Sequence, residues 1–218
     1  YVEGSTRREE LYADHASATL KGRLLRIRDL KSDGTTPAQY DIVYDASNRI
    51  SEVRSIDGSG ASADAIVFAY NGATTQLISI STRENGSATL RTQVSYGYDG
   101  VGRLSWVQTD LTPEITSDNG WDANNDGKRF RTSYTYVSGS ASDLRIASVS
   151  TSDGVTVAYT YESDGSGGYR VKTVTQGSAV DGSTQTTSFT YNAGSTDVVD
   201  SAGRTWTYEY DASKQLTG

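Results

Sequence analysis

Apolar residues along this chain come in short clusters broken by Gly, Asp, Ser and Asn, and none of the clusters sustains a helical stripe. Two patterns recur instead. The first is an aromatic-x-Tyr step followed in most copies by a polar residue: Phe68-Ala69-Tyr70-Asn71, Tyr96-Gly97-Tyr98-Asp99, Tyr134-Thr135-Tyr136, Tyr159-Thr160-Tyr161-Glu162, Phe189-Thr190-Tyr191-Asn192 and Tyr208-Glu209-Tyr210-Asp211, with Tyr44-Asp45 as a looser copy. Residues two apart in a strand share a face, so each step places two rings on one side of a sheet.

The second pattern is a basic or amide residue, an aliphatic one, two variable positions and another aliphatic one. It reads Arg23-Leu24 with Ile27, Arg49-Ile50 with Val53, Gln76-Leu77 with Ile80, Arg103-Leu104 with Val107, Arg145-Ile146 with Val149, and Arg170-Val171 with Val174. The offset of three imitates a helix, but the segments are short, β-branched and bounded by turn residues, which predicts strands. Strict alternation would send the two aliphatics to opposite faces. Either both faces are partly covered or a bulge re-aims one side chain, and the pattern leaves both open.

The step from Tyr to the first aliphatic has hairpin length at Tyr44 to Ile50 and at Tyr98 to Leu104. Asp45 and Asp99 can fold back on the backbone there, and Asn48 and Gly102 occupy the place where positive φ is needed. Residues 137–144 and 162–169 enlarge the turn with Gly and Ser and leave the flanking strands intact.

Composition supports this picture. With 218 residues, 35% hydrophobic, 22 Gly and 15 Tyr, the chain suits many short strands joined by turns. It holds no Cys, which removes disulfides and thiolate metal sites. It starts at Tyr1 and has no Met, as an excised or processed piece would. A net charge of −7 with scattered Arg opposes nonspecific nucleic-acid binding, and the basic stretch from Arg7 to Arg28 reads as solvated surface. No apolar run reaches the roughly 20 residues that span a bilayer, so no direct membrane insertion is expected.

Tyr96-Gly97-Tyr98-Asp99-Gly100-Val101-Gly102-Arg103-Leu104 and the stretch from Asp200 to Leu216 resemble the tyrosine-aspartate (YD) repeats of the RHS (rearrangement hot spot) family. The resemblance runs from about Tyr40 to the end, with residues 1–39 as a divergent repeat or lead-in and residues 111–131 as a polar insertion in the 40–218 array. Lys214-Gln215 stands where the pattern has Gly-Arg, Gln76 where it has Arg, and Val137 where it has Asp. The resemblance implies an all-β fold of repeated hairpins in a curved or spiralling sheet, here an arc of a larger shell. Such shells sequester an effector in bacterial Tc and polymorphic toxins, and related barrels belong to the adhesion ectodomains of teneurins. The core motif that supports effector self-cleavage in family toxins has no match in this chain.

Candidate chemistry is sparse. His15 is the only histidine and no nucleophile elbow accompanies it, so a surface or packing role is expected. Most acids occupy turns. Asp122, Asn124 and Asp126, followed by Gly127, match the first half of a calcium loop, although Ser133 stands where an EF-hand has its bidentate Glu. Ca²⁺ is the one cofactor this predicts. Trp106 and Trp206 lie in repeat strands and read as wall residues, while Trp121 in the insertion is the better sugar platform.

The sequence therefore predicts a non-enzymatic structural segment of a large secreted or cell-surface bacterial protein, forming the wall of a shell around a toxin effector. The alternative is a stalk or ligand-binding segment of an adhesin. Expected partners are other parts of the same polypeptide, an enclosed effector, or a surface glycan or protein. A lyase on a parallel β-helix fits less well, because the copies are unevenly spaced.

Overall fold

A computed structural model describes residues 2–217 except 4–5, 15–18, 37, 73 and 113–127, with residues 2, 3 and 6 described by backbone alone. The described residues form sixteen strands and no helix, so no helix is long and apolar enough to cross a membrane. They divide into two compact units, residues 1–96 with 109–128 and residues 97–108 with 129–218.

The first unit is an antiparallel meander of β1 (Val2–Glu3), β2 (Thr6–Tyr12), β3 (Leu24–Lys31), β4 (Ala38–Tyr44), β5 (Ile50–Ile56), β6 (Ser62–Tyr70), β7 (Leu77–Arg83) and most of β8 (Arg91–Tyr98). The second unit begins at the end of β8 and enters β9 (Leu104–Asp110). It continues through β10 (Arg129–Tyr136), β11 (Ile146–Thr151), β12 (Val155–Ser163), β13 (Tyr169–Ser178), β14 (Thr184–Asn192), β15 (Ser195–Val199) and β16 (Thr205–Glu209). From β10 onward each strand pairs antiparallel with the next. Sequential hairpins are what the turn chemistry predicts, because short connections leave a strand no neighbour except the one just formed.

The register resolves the offset of three. Tyr44 pairs with Ile50 while Val43 pairs with Glu52, so Ser51 is an extra residue on β5. The same shift occurs at Tyr12 with Leu24, Tyr70 with Leu77, Tyr136 with Ile146 and Tyr161 with Val171. A bulge makes the spacing of three act as a spacing of two, and both aliphatics return to one face. That face also carries the rings: Phe68 opposes Ile80, Tyr134 opposes Val149, and Tyr159 opposes Val174.

The other face differs between the units. In the first, cross-strand neighbours include Arg26, Asp41, Arg54, Ala65 and Arg83. In the second, it is lined by hydroxyls, with Thr135 bonded to Ser148, Thr160 to Thr173 and Thr175 to Thr186. The only described hydrophobic residues that are buried are Ala13 and Ala65, and no large side chain among the described residues is fully buried. Packing within each unit is therefore lateral, between neighbours in a sheet.

Candidate functional site

The most regular chemistry lies at the strand ends that carry the tyrosines. Three of the turns there are built by one carboxylate in the same way. Asp45 Oδ1 accepts from the amides of Ser47 and Arg49, Asp99 Oδ1 from Val101 and Arg103, and Asp164 Oδ1 from Ser166 and Gly168. The residue before the last position takes positive φ: Asn48 at 61°, Gly102 at 90° and Gly167 at 91°. Asn tolerates this region and Gly enters it without a Cβ clash, which accounts for the exchange of the two types at this place. The same carboxylate grip forms turns at the opposite strand ends, as at Asp57 and Asp200.

An arginine then links each turn to the next copy. Arg49 Nε donates to Asp45 Oδ2 at 2.7 Å, and Arg103 Nε to Asp99 Oδ2 at 2.8 Å. Arg145 is held by both oxygens of Asp143, and Arg170 by Glu162. Each guanidinium lies over the tyrosine of the following copy: Arg49 over Tyr70 at 4.2 Å, Arg103 over Tyr136 at 4.1 Å, Arg145 over Tyr161 at 5.7 Å, and Arg170 over Tyr191 at 4.2 Å. Arg103 also caps the carbonyls of Ser140 and Asp143 in the next turn at 2.8 and 2.7 Å.

The tyrosine completes the link. Its hydroxyl donates to the carbonyl of the first aliphatic of the preceding copy: Tyr44 to Leu24 at 3.0 Å, Tyr70 to Ile50, Tyr136 to Leu104 and Tyr161 to Ile146 at 2.8 Å, and Tyr191 to Val171 at 2.7 Å. The bulges beside Tyr44, Tyr70, Tyr136 and Tyr161 disturb the ladder locally. The phenol supplies a donor to a backbone carbonyl there, worth about 1 kcal/mol, and the cation over the ring adds about 0.5–1 kcal/mol.

Departures from the pattern occur in matched sets. Where Asn71 and Gln76 replace Asp and Arg, Asn71 Nδ2 donates to Gln76 Oε1 at 3.0 Å, so a neutral pair stands in for the ion pair. In the last copy the turn shrinks to Ala193 and Gly194, and the Tyr210 hydroxyl meets the Thr196 hydroxyl.

These turns hold their carboxyls below the ordinary range. The Arg49 side chain is the main cause at Asp45, the Ser59 hydroxyl at Asp57, the Arg145 side chain at Asp143, and the Ser166 amide at Asp164. At Asp99 burial acts in the raising direction and is outweighed by the backbone and side chain of Arg103. Each carboxylate in this set has at least one oxygen engaged by its own turn, so the arrangement positions a backbone.

Trp106 has a packing role. It stands over Gly97, where an added Cβ would lie 2.0 Å from its Nε1, and the Arg131 guanidinium covers its ring at 4.3 Å. Arg131 Nε donates to the buried Gln108 at 2.9 Å. Trp206 is 46% exposed on β16 with Arg204 5.5 Å from its ring. His15, Trp121 and the candidate calcium ligands Asp122, Asn124 and Asp126 lie outside the described residues. Among the described residues no three His, Asp or Glu side chains gather as a metal site. Arg and Tyr recur along the sequence as separate signatures, and their meeting across copies appears only in the folded chain. Their constant order, Arg directly before the aliphatic and Tyr at the end of the next strand, was the available signal.

No family model matches the chain, and no curated protein does. Among solved structures it is similar to TcdB2-TccC3-TEV, with 13% identity over 93% of this chain and 13% of that one and a TM-score of 0.40. It is also similar to the Photorhabdus luminescens Tc holotoxin pore, with 12% identity over 96% of this chain and 15% of that one and a TM-score of 0.29. The chain thus spans less than a sixth of the length of either.

Proposed function

We propose that this chain is a wall segment of an RHS-type shell, whose task is to enclose or display another part of a larger secreted polypeptide. The observation that supports it most directly is the Asp–Arg–Tyr link, which ties each hairpin to its neighbour at one end of the strands in both units. Sheets without a packed second layer need such lateral ties, because burial between layers contributes little to them. Carboxylates committed to turns and rings committed to neighbours suit a scaffold without catalytic residues.

Electron microscopy of the full-length parent polypeptide tests this reading. A hollow particle with enclosed density is expected. An extended rod with these repeats along its length would overturn the shell and favour the adhesin stalk.

A further inference from the structure

The chain contains three Asn-Gly steps, at residues 71–72, 85–86 and 119–120. Asparagine before glycine is the pair most open to ring closure, because no Cβ shields the glycine nitrogen from the neighbouring side-chain amide. The third step lies outside the described residues, and the fold treats the first two differently.

At Asn85 the glycine nitrogen is occupied. Gly86 N–H donates to the Ala63 carbonyl, the Asn85 amide donates to Asp64 Oδ1 at 3.0 Å, and a Cβ on Gly86 would lie 2.8 Å from the Ser62 carbonyl oxygen. This turn is clasped against the start of β6 and must come away before its ring can close. At Asn71 the matching nitrogen is open. The Gly72 amide meets no acceptor among the described residues, and a Cβ on Gly72 would have no neighbour within 4 Å. The carbonyl of the same peptide unit, that of Asn71, accepts from the Thr74 amide at 3.1 Å and from the Thr74 hydroxyl at 2.7 Å. Hydrogen bonds to that oxygen draw electron density from the peptide and make the Gly72 N–H easier to deprotonate. Asn71 is itself exposed, and its Nδ2 donates to Gln76 Oε1 at 3.0 Å, so the leaving nitrogen is held within the same turn.

We propose that Asn71 is a site of self-modification, at which the folded chain converts its own side-chain amide into a carboxylate. The Gly72 nitrogen gives its proton to solvent and bonds to Asn71 Cγ. The Cγ–Nδ2 bond breaks, and ammonia leaves with a proton from solvent, so that a five-membered succinimide remains. Water then opens the ring at either carbonyl, giving aspartate on the original backbone or isoaspartate, whose backbone runs through Cγ. Water is the only co-reactant. Either product places a negative charge in a turn whose Thr74 carbonyl accepts from the Arg49 guanidinium and whose counterparts begin with Asp45 and Asp99. Isoaspartate also adds one carbon to the main chain inside the loop closed by the Asn71 amide and the Gln76 carbonyl at 2.9 Å. The inference goes beyond the shell reading and stands without it.

Incubation of the 218-residue chain in warm, mildly alkaline buffer, followed by tryptic digestion and mass spectrometry, tests it. Cleavage after Arg54, Arg83 and Arg91 puts the two asparagines in separate peptides, residues 55–83 and 84–91. In the folded chain Asn71 is expected to convert at least about fivefold faster than Asn85, the factor that protection by one hydrogen bond gives. In urea the two rates should converge, because only the shared Asn-Gly pair is left. Aspartate and isoaspartate should both form at residue 71, as distinguished by electron-transfer fragmentation. Gly72→Ala should slow the conversion, with a thermal melt verifying that the variant is folded; if it is not, the comparison in urea and the product analysis decide without it. Asn85 converting as fast as Asn71 in the folded chain, a rate difference that persists in urea, aspartate as the sole product, or a folded Gly72→Ala variant that converts at the original rate would overturn the proposal.

Discussion

Tyr191 donates its hydroxyl to the carbonyl of Val171 at 2.7 Å, twenty residues earlier in the chain, while Arg170 lies 4.2 Å from the centre of its ring. The tyrosine thereby reads two features of the preceding copy at once, its arginine and the carbonyl released by the bulge. Tyr191→Phe removes the hydroxyl and leaves the ring. A loss of about 1 kcal/mol in urea unfolding is expected. In a double-mutant cycle with Arg170→Ala, a coupling of about 0.5–1 kcal/mol should appear. Additive effects would show that the stacked geometry contributes nothing.

Gly97 is the one aromatic-x-Tyr position in the chain filled by glycine, and the Trp106 indole is the reason. Gly97→Ala places a Cβ 2.0 Å from Nε1 and 2.1 Å from Cε2, so the indole must leave its place under Arg131. A destabilisation of about 1–3 kcal/mol and an altered near-ultraviolet circular dichroism signal are expected. Gly97→Ala combined with Trp106→Val should recover most of the stability lost to the clash. An unshifted melt for Gly97→Ala alone would contradict this packing.

The turn carboxyls make the fold acid-sensitive. Asp45, Asp57, Asp99, Asp143, Asp164 and Asp200 are all lowered in the folded chain relative to the usual carboxylate value of about 3.9. A lowered folded value means that the unfolded chain binds protons first as pH falls. The contribution to stability is thus present above about pH 4 to 5 and is lost as pH drops through the folded values. Urea midpoints should be level from pH 7 to 5 and fall below about pH 4, less steeply for Asp99→Asn. A midpoint that rises on acidification would contradict the role of these carboxylates.

The neutral pair of Asn71 and Gln76 predicts a compensated exchange. Asn71→Asp alone puts a carboxylate opposite an amide, and Gln76→Arg alone puts a cation there, so neither should stabilise. Together they rebuild the ion pair seen at Asp45 with Arg49, with a gain of about 0.2–1 kcal/mol for a partly exposed pair. Thermal melts of the four proteins measure it, and a double variant no better than its parents would refute matched replacement.

Calcium binding at Asp122, Asn124 and Asp126 remains our proposal from the residue spacing. Calorimetry should detect Ca²⁺ heat that disappears in the Asp122→Ala and Asp126→Ala double variant. A chelator that leaves the melting temperature unchanged, together with no heat, would remove the metal from the account.

Much of the local architecture is determined by the sequence itself. The aromatic-x-Tyr steps and Gly/Asp boundaries give strands and hairpins, because side-chain alternation and turn φ values are properties of neighbouring residues. Asn48 and Gly102 could be recognised as equivalent for that reason. Tertiary structure decided what depends on register. The bulge that returns Ile50 and Val53 to one face, the reach of Tyr70 to Ile50, and the placing of Asp41 between Arg26 and Arg54 each require knowing which residue stands opposite which. A shift of one residue in register reverses every face, and nothing in the spacing of a single strand fixes it. The tyrosine and the arginine were therefore legible as types, while their meeting was a fact of three dimensions.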